Sequence, residues 1–307
     1  MNVEALIFQQ IVDANFDQSI STASPNGTIN VVQIAAKGSG TNIGLALTPK
    51  GTGYLSAQVP DGTSTGGNAR GAGAVDFQTI RTGASQIASG ATSCIVAGRQ
   101  NDATAQDSGI VCGQGNSARG QRSFVGTGFF CGAFAQDSAV LGGNGNTANG
   151  ISSSCVGGER ANASRFSQLV HASGRFSGAG DAQWFLHELR NKTTNATETE
   201  LFLDGASIRL VLAANFVIHA NVMIVGSKSD GSAVARYDRQ VTIKRVSNTT
   251  SLVGSVITIG TDEAAGTSIA ITADDTNESL KIAVTGIASE TWRWVAAVHG
   301  IEMGIGT

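Results

Sequence analysis

A repeat of fifteen residues, running from residue 78 to residue 164, is the feature that most limits how this chain can fold. Three columns of small residues mark the repeat at intervals of five positions. They are Ser93, Ser108, Ser123, Ser138 and Ser153; Gly83, Gly98, Gly113, Gly128, Gly143 and Gly158; and Ala88, Ala103, Ala118, Ala133, Ala148 and Ala163. A fixed short period is typical of a solenoid, in which each unit stacks on its neighbours. Fifteen residues are too few for a helix pair, so the repeat predicts the coils of a parallel β-roll.

Two neighbouring apolar columns predict how each coil is oriented. The first contains Ile80, Ile95, Ile110, Val125, Val140 and Cys155, and the second contains Val96, Val111, Gly126, Leu141 and Val156. Adjacent residues of a strand point to opposite faces, so one column is expected inside the roll and the other outside. A contiguous apolar stripe on a soluble surface is typical of an interface. We therefore expect copies of the chain to pack along Val96, Val111, Leu141 and Val156.

The composition favours a folded protein and argues against several partners. Apolar residues make up 41% of the chain, which is too many for a disordered one. A net charge of -3 gives no electrostatic footprint for nucleic acid, and no basic run predicts contact with a membrane surface. The N-terminus lacks the pattern of a secretory signal, and no stretch approaches the length of a transmembrane helix. We expect a chain that folds in a cytosol without inserting into a membrane.

The cysteines and histidines do not predict a metal or cofactor site. Cys94, Cys112, Cys131 and Cys155 occupy different columns of the repeat, and none of their spacings is a CxxC pair. They are interpreted as small buried residues that stay reduced. The histidines are His171, His187, His219 and His299. None is at metal-ligand spacing, so we expect them at the surface or at contacts between chains.

The first two segments of the chain are a leader and the roll. Residues 1–62 are predicted to be a β-rich leader with short strands at 30–35 and 43–47, and the first fifteen residues are the best candidate for a helix. Residues 63–182 are predicted to form the roll, with regular coils at about 78–164 and a cap on either side.

The third segment, residues 183–307, is predicted to be an antiparallel β-sandwich or jelly roll. Glycine becomes rarer there, and β-branched residues alternate with polar ones between polar turns. The strands are predicted at 184–189, 199–203, 207–212, 215–226, 233–246, 255–259, 268–272, 279–284 and 291–302.

Several stretches resemble phage tail-fibre proteins. The coil at 138–150 is similar to the head repeats of trimeric autotransporter adhesins, and residues 41–53, 66–78 and 171–205 resemble phage tail fibres more specifically. The resemblance implies a homotrimer and a left-handed roll. It also implies that the N-terminus attaches to the virion and that a distal C-terminal domain meets the host surface. No membrane-anchor barrel is expected at the C-terminus, which favours a fibre over a bacterial adhesin.

No convincing catalytic constellation is found in the sequence. Residues 62–66 match the G-x-S-x-G pattern, but they lie in a Gly/Ser/Thr linker without the strand and helix that this motif needs, which favours a chance match. Glycoside cleavage needs two carboxylates across a cleft. The candidates are Asp204, Asp262, Glu263, Asp274 and Asp275. All five are expected mostly in solvated loops.

Aromatic residues are interpreted mainly as packing residues. Phe124, Phe129, Phe130 and Phe134 lie within one coil and are expected to form a hydrophobic plug inside the trimer. Trp292 and Trp294 share one face of a predicted strand, and a core role is favoured over a platform for a glycan. Arg293 lies on the opposite face, where it could contact a receptor. Asp230–Gly231 and Asp274–Asp275 lack the spacing of a calcium loop and are interpreted as turns.

The sequence therefore predicts an all-β fold, in which a trimeric left-handed parallel β-roll precedes a C-terminal antiparallel β-sandwich. The favoured hypothesis is a phage tail fibre that is not an enzyme, with the roll as a rigid spacer and the C-terminal domain as the receptor-binding tip. The expected partners are further copies of the chain, tail or baseplate proteins at the leader, and a glycan or protein of the host surface. The expected location is the virion tail, after assembly in the host cytoplasm.

Two alternatives stay open. One is a tailspike depolymerase that cleaves polysaccharide of the host surface. The other is a collar, head-fibre or decoration protein without a receptor.

Overall fold

The structure is a computed structural model that describes residues 16–21, 31–36 and 46–306. These residues are all-β, as the sequence predicts, and no helix occurs among them. Accordingly, no helix in the described ranges could cross a membrane. The chain divides into two compact units, Met1–Gly51 and Thr52–Thr307.

In its described residues, the first unit contains one antiparallel pair of strands. β1 (Phe16–Ser21) pairs with β2 (Val31–Ala36). β2 corresponds to the strand predicted at 30–35, whereas β1 was not predicted. The helix predicted in the first fifteen residues, and most of the strand predicted at 43–47, lie outside the described residues.

The second unit begins with a parallel β-solenoid of about seven coils, which confirms the predicted roll. Its first sheet contains β3 (Leu55–Ser56), β4 (Val75–Asp76), β5 (Cys94–Ile95), β7 (Gly109–Ile110), β9 (Phe124–Val125), β11 (Ala139–Val140), β13 (Ser154–Glu159) and β15 (Leu169–Ser173). Its second sheet contains β6 (Asp102–Ala103), β8 (Ser117–Ala118), β10 (Gly132–Ala133), β12 (Thr147–Ala148) and β14 (Asn162–Ala163). The predicted trimer and the left-handed sense of the roll stay predictions.

The period of the sequence is the register of these sheets. Ile95 lies opposite Ile110 and Ala88 opposite Ala103, fifteen residues apart in both cases. The column of Ile95 is fully buried inside the roll, and so are the Ser and Ala columns. In the Gly98 column, φ lies between +87° and +157°, a region that residues with a Cβ avoid. In each regular coil, the Ser and Ala positions are therefore core residues, and the Gly position between them is a sharp turn.

The first coils are longer than the repeat, which corrects two predicted positions. Asp76, not Ile80, lies opposite Ile95, at a register of nineteen residues. Ile80 is exposed and bridges to Arg99 instead. Gly83 has an ordinary φ and open space around it, so it is not equivalent to Gly98. Both differences arise because extra residues are inserted before Ala88.

A buried charge cluster closes the beginning of the roll. The Asp76 carboxylate, in the core column, accepts from Arg70 at 2.9 Å and from Arg81 at 3.0 Å, and all three side chains are fully buried. Because unpaired buried charges are very costly, the two arginines are what make an aspartate possible at this position. The roll begins earlier than predicted, since β3 precedes the boundary at residue 62.

The C-terminal part continues the first sheet of the roll with antiparallel strands. Its long strands are β16 (Ala182–Thr193), β19 (Phe216–Lys228), β20 (Val234–Val246) and β25 (Trp292–Gly304), with β21 (Thr249–Leu252) and β22 (Ile257–Thr258) on the edge strand β20. β15 of the roll pairs with β16, so the roll and the C-terminal strands share one continuous sheet.

A second antiparallel sheet covers the inner face of these strands. It contains β17 (Glu198–Glu200), β18 (Leu210–Val211), β23 (Ser268–Asp274) and β24 (Ser279–Thr285). Phe185, Leu201, Ile282 and Trp294 belong to one buried cluster that also includes the interior of the roll. The predicted C-terminal antiparallel sheets are confirmed, and each predicted strand has a counterpart. The short strand β21 was not predicted.

Candidate functional site

The interior of the roll contains a ladder of buried asparagines that the sequence analysis missed. Asn101, Asn116 and Asn146 are fully buried at one turn of successive coils. The Oδ1 atom of Asn116 accepts the N–H of Cys131 at 2.9 Å, and its Nδ2 donates to the carbonyls of Cys112 and Gly128. These bonds satisfy backbone groups at the turn, so the ladder is structural. Its signal was present as Asn at the fifteen-residue period, interrupted by Cys131.

The outer face of the first sheet carries the predicted interface column. The side chains of this column are between 41% and 52% exposed: Val96, Val111, Leu141 and Val156. They lie on successive strands of the sheet, except that Gly126 occupies the position between Val111 and Leu141. Their neighbours in the chain, such as Ile110 and Val140, are fully buried. The apolar stripe expected from the sequence is therefore at the surface of the single chain.

The same apolar face continues onto the C-terminal strands. His171 lies opposite Trp184, and Trp184 lies opposite Ile301. Trp184 and Ile301 are 39% and 59% exposed. On β19 and β25, the outward side chains include Met223, Val225, Val295 and Met303, all about half-exposed. The apolar part of this face therefore extends from the roll onto β16, β25 and β19, whereas the far half of β16 presents Glu188, Arg190 and Lys192.

The outer face of the second sheet is polar by contrast. Its outward columns are Asp102, Ser117, Gly132, Thr147 and Asn162, and Thr104, Arg119, Phe134, Asn149 and Ser164. Hydrogen bonds connect neighbouring coils on this face, as from the Ser117 hydroxyl to the Asp102 carboxylate at 2.6 Å. Arg119 forms an ion pair with Asp102 at 2.8 Å. A groove of about 470 Å³ lies beside this pair, lined also by Gln86 and Thr104.

The predicted phenylalanine plug is wrong, because the four rings do not come together: only Phe129 and Phe130 are in contact, and Phe124 and Phe134 lie on other sides of the roll. Phe124 lies on the apolar outer face, next to the buried Val125. Phe129 is in the column that bridges to Gln114, where its ring contacts Phe130 edge-on. Phe134 is on the polar outer face of the second sheet. A spacing of five residues is a third of a coil, so residues close in sequence are not on one face.

Two further grooves lie where the roll meets the C-terminal strands. The larger, of about 730 Å³, is lined by Phe176, Asp181, Phe216 and Met303. The smaller, of about 360 Å³, contains Trp184 and shares Phe176 and Met303 with the larger. Although burial raises the pKa of Asp181, hydrogen bonds from the backbone N–H groups of residues 176–178 outweigh it and lower the pKa below its usual value. Asp181 therefore stays ionised and holds the loop that shapes these grooves.

A buried polar network joins the roll to the C-terminal strands beneath the grooves. The Glu302 carboxylate accepts from Arg165 at 2.7 Å, from Gln168 at 3.1 Å and from Gln183 at 2.5 Å. Glu302, Gln168 and Gln183 are all buried. Because Arg165 and Gln168 belong to the last coil and Gln183 to β16, the network fixes the end of the roll against β25.

Most carboxylates considered for glycoside cleavage are engaged in turns or ion pairs. Asp204 accepts the N–H groups of residues 206–208, which lower its pKa. The Asp262 carboxylate accepts hydrogen bonds from two guanidinium nitrogens of Arg239, both at 2.7 Å, and these bonds lower the pKa of Asp262. Glu263 forms only a long, exposed pair with Arg236 at 3.8 Å. Asp204 is thus engaged by a turn, and Asp262 by an ion pair.

Two carboxylates at the turn between β23 and β24 bond the same residue, Thr250. Asp275 accepts the N–H of Thr250, and Glu278 accepts its hydroxyl. Glu278 also pairs with Arg245 at 3.3 Å. Asp274 caps the same turn through Asn277, which lowers its pKa. These contacts attach β21 to the turn, which explains the carboxylates without a reaction.

Trp292 and Trp294 are core residues, as predicted. Trp292 and Trp294 are buried, and their rings stack at 5.7 Å. Gly226 lies opposite Trp294, where a Cβ would overlap the indole ring. Arg293 is exposed on the other face, beside Lys192 of β16 and Ser227 of β19. Its role as a receptor contact stays a prediction.

His187 differs from the expectation that the histidines lie at surfaces. It is 1% exposed on the inner face of β16, and neither ring nitrogen has a hydrogen-bond partner in the described part of the chain. Burial, and then the charge of Arg165, hold the pKa of His187 well below its usual range. The ring packs 5.5 Å from Phe185 as a neutral core residue. His171 and His219 are exposed.

The cysteines are free, and among the described residues no group of three His, Cys, Asp or Glu could hold a metal ion. Burial raises the pKa of Cys155 to about 11 and also raises that of Cys131. Both thiols are therefore protonated at neutral pH and act as small core residues.

Three tailspike structures are similar to this chain in part. One is the crystal structure of the tailspike protein gp49 from Acinetobacter baumannii bacteriophage Fri1, described as a capsular polysaccharide depolymerase. The match covers 75% of this chain and 50% of the gp49 chain, at 9% identity and a TM-score of 0.26. The tailspike of Acinetobacter phage vB_ApiP_P1 covers 79% of this chain and 68% of that chain at 8% identity and a TM-score of 0.23. The match with the tailspike of Acinetobacter baumannii phage AM24 covers 80% of this chain and 56% of the tailspike chain, at 8% identity and a TM-score of 0.21.

The chain spans between half and about two-thirds of the length of these tailspikes. No family model matches the chain, and no curated protein matches it. The sequence-based prediction that the chain is not an enzyme is contradicted by this comparison, because one similar structure is that of a depolymerase. Sequence motifs do not decide between attachment and cleavage, because polysaccharide cleavage has no fixed spacing of its two carboxylates along a chain.

Proposed function

We propose that the chain is a bacteriophage tail protein of the tailspike kind, which assembles from several copies and acts on polysaccharide of the host surface. The observation that carries the proposal is the difference between the two outer faces of the roll. One face carries a stripe of uncovered apolar side chains from Val96 to Ile301, and the other is a polar face with a groove beside Asp102 and Arg119. One face suits copies of the chain, and the other suits a hydrophilic ligand.

The apolar face is the proposed contact between copies. An exposed apolar surface of this extent is unfavourable in water and is usually buried against a partner. Identical chains that bury the same surface around an axis form a closed oligomer. The resemblance of the repeat to trimeric proteins supports three copies. In such a trimer the roll is a rigid spacer, and the polar face stays outside.

In this proposal, the N-terminal leader and the C-terminal strands have separate roles. The N-terminal leader attaches to tail or baseplate proteins, and the C-terminal strands, with Arg293 at their surface, lie toward the host. Three copies of one weak site bind a repeating polymer much more tightly than a single copy does. Cleavage of capsular polysaccharide, the activity described for the gp49 tailspike, is the second candidate function and goes beyond attachment.

An array of purified bacterial capsular polysaccharides and lipopolysaccharides tests both functions. The full chain is applied to the array, bound protein is detected, and reducing ends released into solution are measured. Retention on at least one polysaccharide is expected for attachment, and release of oligosaccharide is expected for cleavage. Absence of retention and of release across the array would contradict the proposed function.

A further inference from the structure

We infer that Phe134, on the polar outer face of the second sheet, is a stacking platform for one sugar ring of an extended polysaccharide. This inference rests on the proposed function and assigns it a binding site. Phe134 is 41% exposed and stands in a column that otherwise contains Thr104, Arg119, Asn149 and Ser164. A large aromatic ring exposed among hydrophilic residues is therefore an exception on this face.

The ring lies over Gly132, and this glycine makes room for it. A Cβ at residue 132 would overlap the far atoms of the Phe134 ring. The other coils carry Ser117 and Thr147 at this position, each with a side chain that would occupy the same space. Gly132 is itself buried, although its column faces outward, because the ring covers it. The pair thus places a flat apolar surface on the sheet, with one side of the ring against the backbone.

Hydrogen-bonding groups surround the ring along the stack of coils. On one side, the Arg119 guanidinium lies over the ring, 5.9 Å from its centroid, and is oriented by its ion pair with Asp102. On the other side, Asn149 is bonded to Asn162 at 2.9 Å. An exposed apolar ring with hydrogen-bonding groups next to it complements a sugar, which has an apolar C–H face and a rim of hydroxyl groups.

The groove beside Asp102 makes the proposed binding surface longer than the Phe134 ring alone, so that a polymer can lie along it. It includes Gln86, Asp102 and Arg119, which belong to three successive coils, and Phe134 is on the next coil. Strands of neighbouring coils are about 4.8 Å apart, so the surface from Gln86 to Phe134 is about 14 Å long. Such a length accommodates more than one sugar unit. A protein partner would require a larger apolar area than one ring provides.

The inference is tested with the polysaccharide that the wild-type chain retains most strongly on the array, by measuring its dissociation constant for four variants. Phe134→Ala is expected to weaken binding about tenfold, and Phe134→Trp to keep it within about twofold. Phe129→Ala is the matched control, because Phe129 is equally exposed but on another side of the roll, and should keep binding within about twofold. Asn149→Ala, an exposed change beside the ring, should weaken binding about threefold.

The melting temperature of each variant separates loss of binding from loss of folding. If Phe134→Ala melts well below the wild type, Asn149→Ala and Phe134→Trp decide the question, since both keep the sheet covered. Wild-type affinity in Phe134→Ala and Asn149→Ala would overturn the platform while leaving the proposed function intact. If the wild-type chain bound no polysaccharide on the array, the proposed function would fail and the platform with it.

Discussion

At the scale of single residues, the turns of the roll depend on side chains that the repeat pattern does not emphasise. Each buried asparagine of the ladder satisfies backbone groups of its own coil and of the next one. Apolar columns alone would leave these groups unpaired at the corner where the chain changes direction. The roll is therefore held together by polar groups at its turn and by apolar ones along its strands.

Asn116→Ala should destabilise the roll by about 3 kcal/mol, because the N–H of Cys131 and the carbonyl of Cys112 lose their partner and the carbonyl of Gly128 keeps only the N–H of Gln114. The free energy of unfolding from denaturant titration measures this loss. Gln121→Ala, an exposed change in the same region, is the control and should have little effect. Equal stability of the two variants would show that water replaces the asparagine.

Gly113→Ala and Gly83→Ala should have opposite outcomes, although both glycines occupy the same column of the sequence repeat. At Gly113, φ is +106° and a Cβ would overlap the carbonyl oxygen of Gly128, so we expect a loss of about 3 kcal/mol or more. Gly83 has open space and an ordinary φ, so alanine there should be neutral or stabilising by about 0.5 kcal/mol. Thermal unfolding of the two variants compares them directly. Similar losses of stability in the two variants would show that Gly83 is equivalent to Gly113.

At the scale of elements, the connection between the roll and the C-terminal strands is sensitive to pH through His187. The folded state holds the pKa of His187 well below 6.5, whereas the unfolded chain binds a proton near that pH. Stability is thus fully present above pH 6.5 and is lost as the pH falls toward the folded-state pKa. Arg165 is the charged group that adds to this effect, and Glu302 pairs with it.

His187→Leu should flatten the loss of stability below pH 6.5 by up to about 1.4 kcal/mol per pH unit. The measurement is the free energy of unfolding of both proteins at several pH values from 7.5 downward. Phe185→Leu changes packing at the neighbouring inward position and keeps the titrating group, so its pH slope should match that of the wild type. A wild-type slope in His187→Leu would contradict the assignment.

At the scale of the whole molecule, the continuous sheet carries an apolar stripe that runs from the roll onto the C-terminal strands. Val111→Asp, in the roll, and Ile301→Asp, in β25, should each dissociate the proposed trimer, because a carboxylate buried in an apolar contact lacks a partner. Molar mass from light scattering during size-exclusion chromatography measures the outcome. Thr104→Asp places the same charge on the polar face and should leave the trimer intact. A trimeric Val111→Asp protein with unchanged melting would reject this face as the contact.

Local patterns in the sequence were sufficient for the architecture. A fifteen-residue period predicts the register of a parallel roll, since the period of a stack is the number of residues in one coil. Alternation predicts the C-terminal strands and the buried pair Trp292 and Trp294, because side chains on a strand point to alternate faces. The short strand β21 was missed, because its sequence, with two threonines and a serine, alternates too weakly.

Only the tertiary structure decided how these parts face one another. The four phenylalanines from Phe124 to Phe134 appear clustered in sequence, but a coil turns its chain through different sides within a few residues, so Phe134 lies among polar groups. The insertion before Ala88 moves Ile80 and Gly83 out of the columns that their numbers suggest. The sequence by itself determined the repeat, the strands and the apolar stripe, because these depend on neighbours along the chain. The continuity of that stripe with Trp184 and Ile301, and the surface around Phe134, depend on contacts between distant residues, which only the fold brings together.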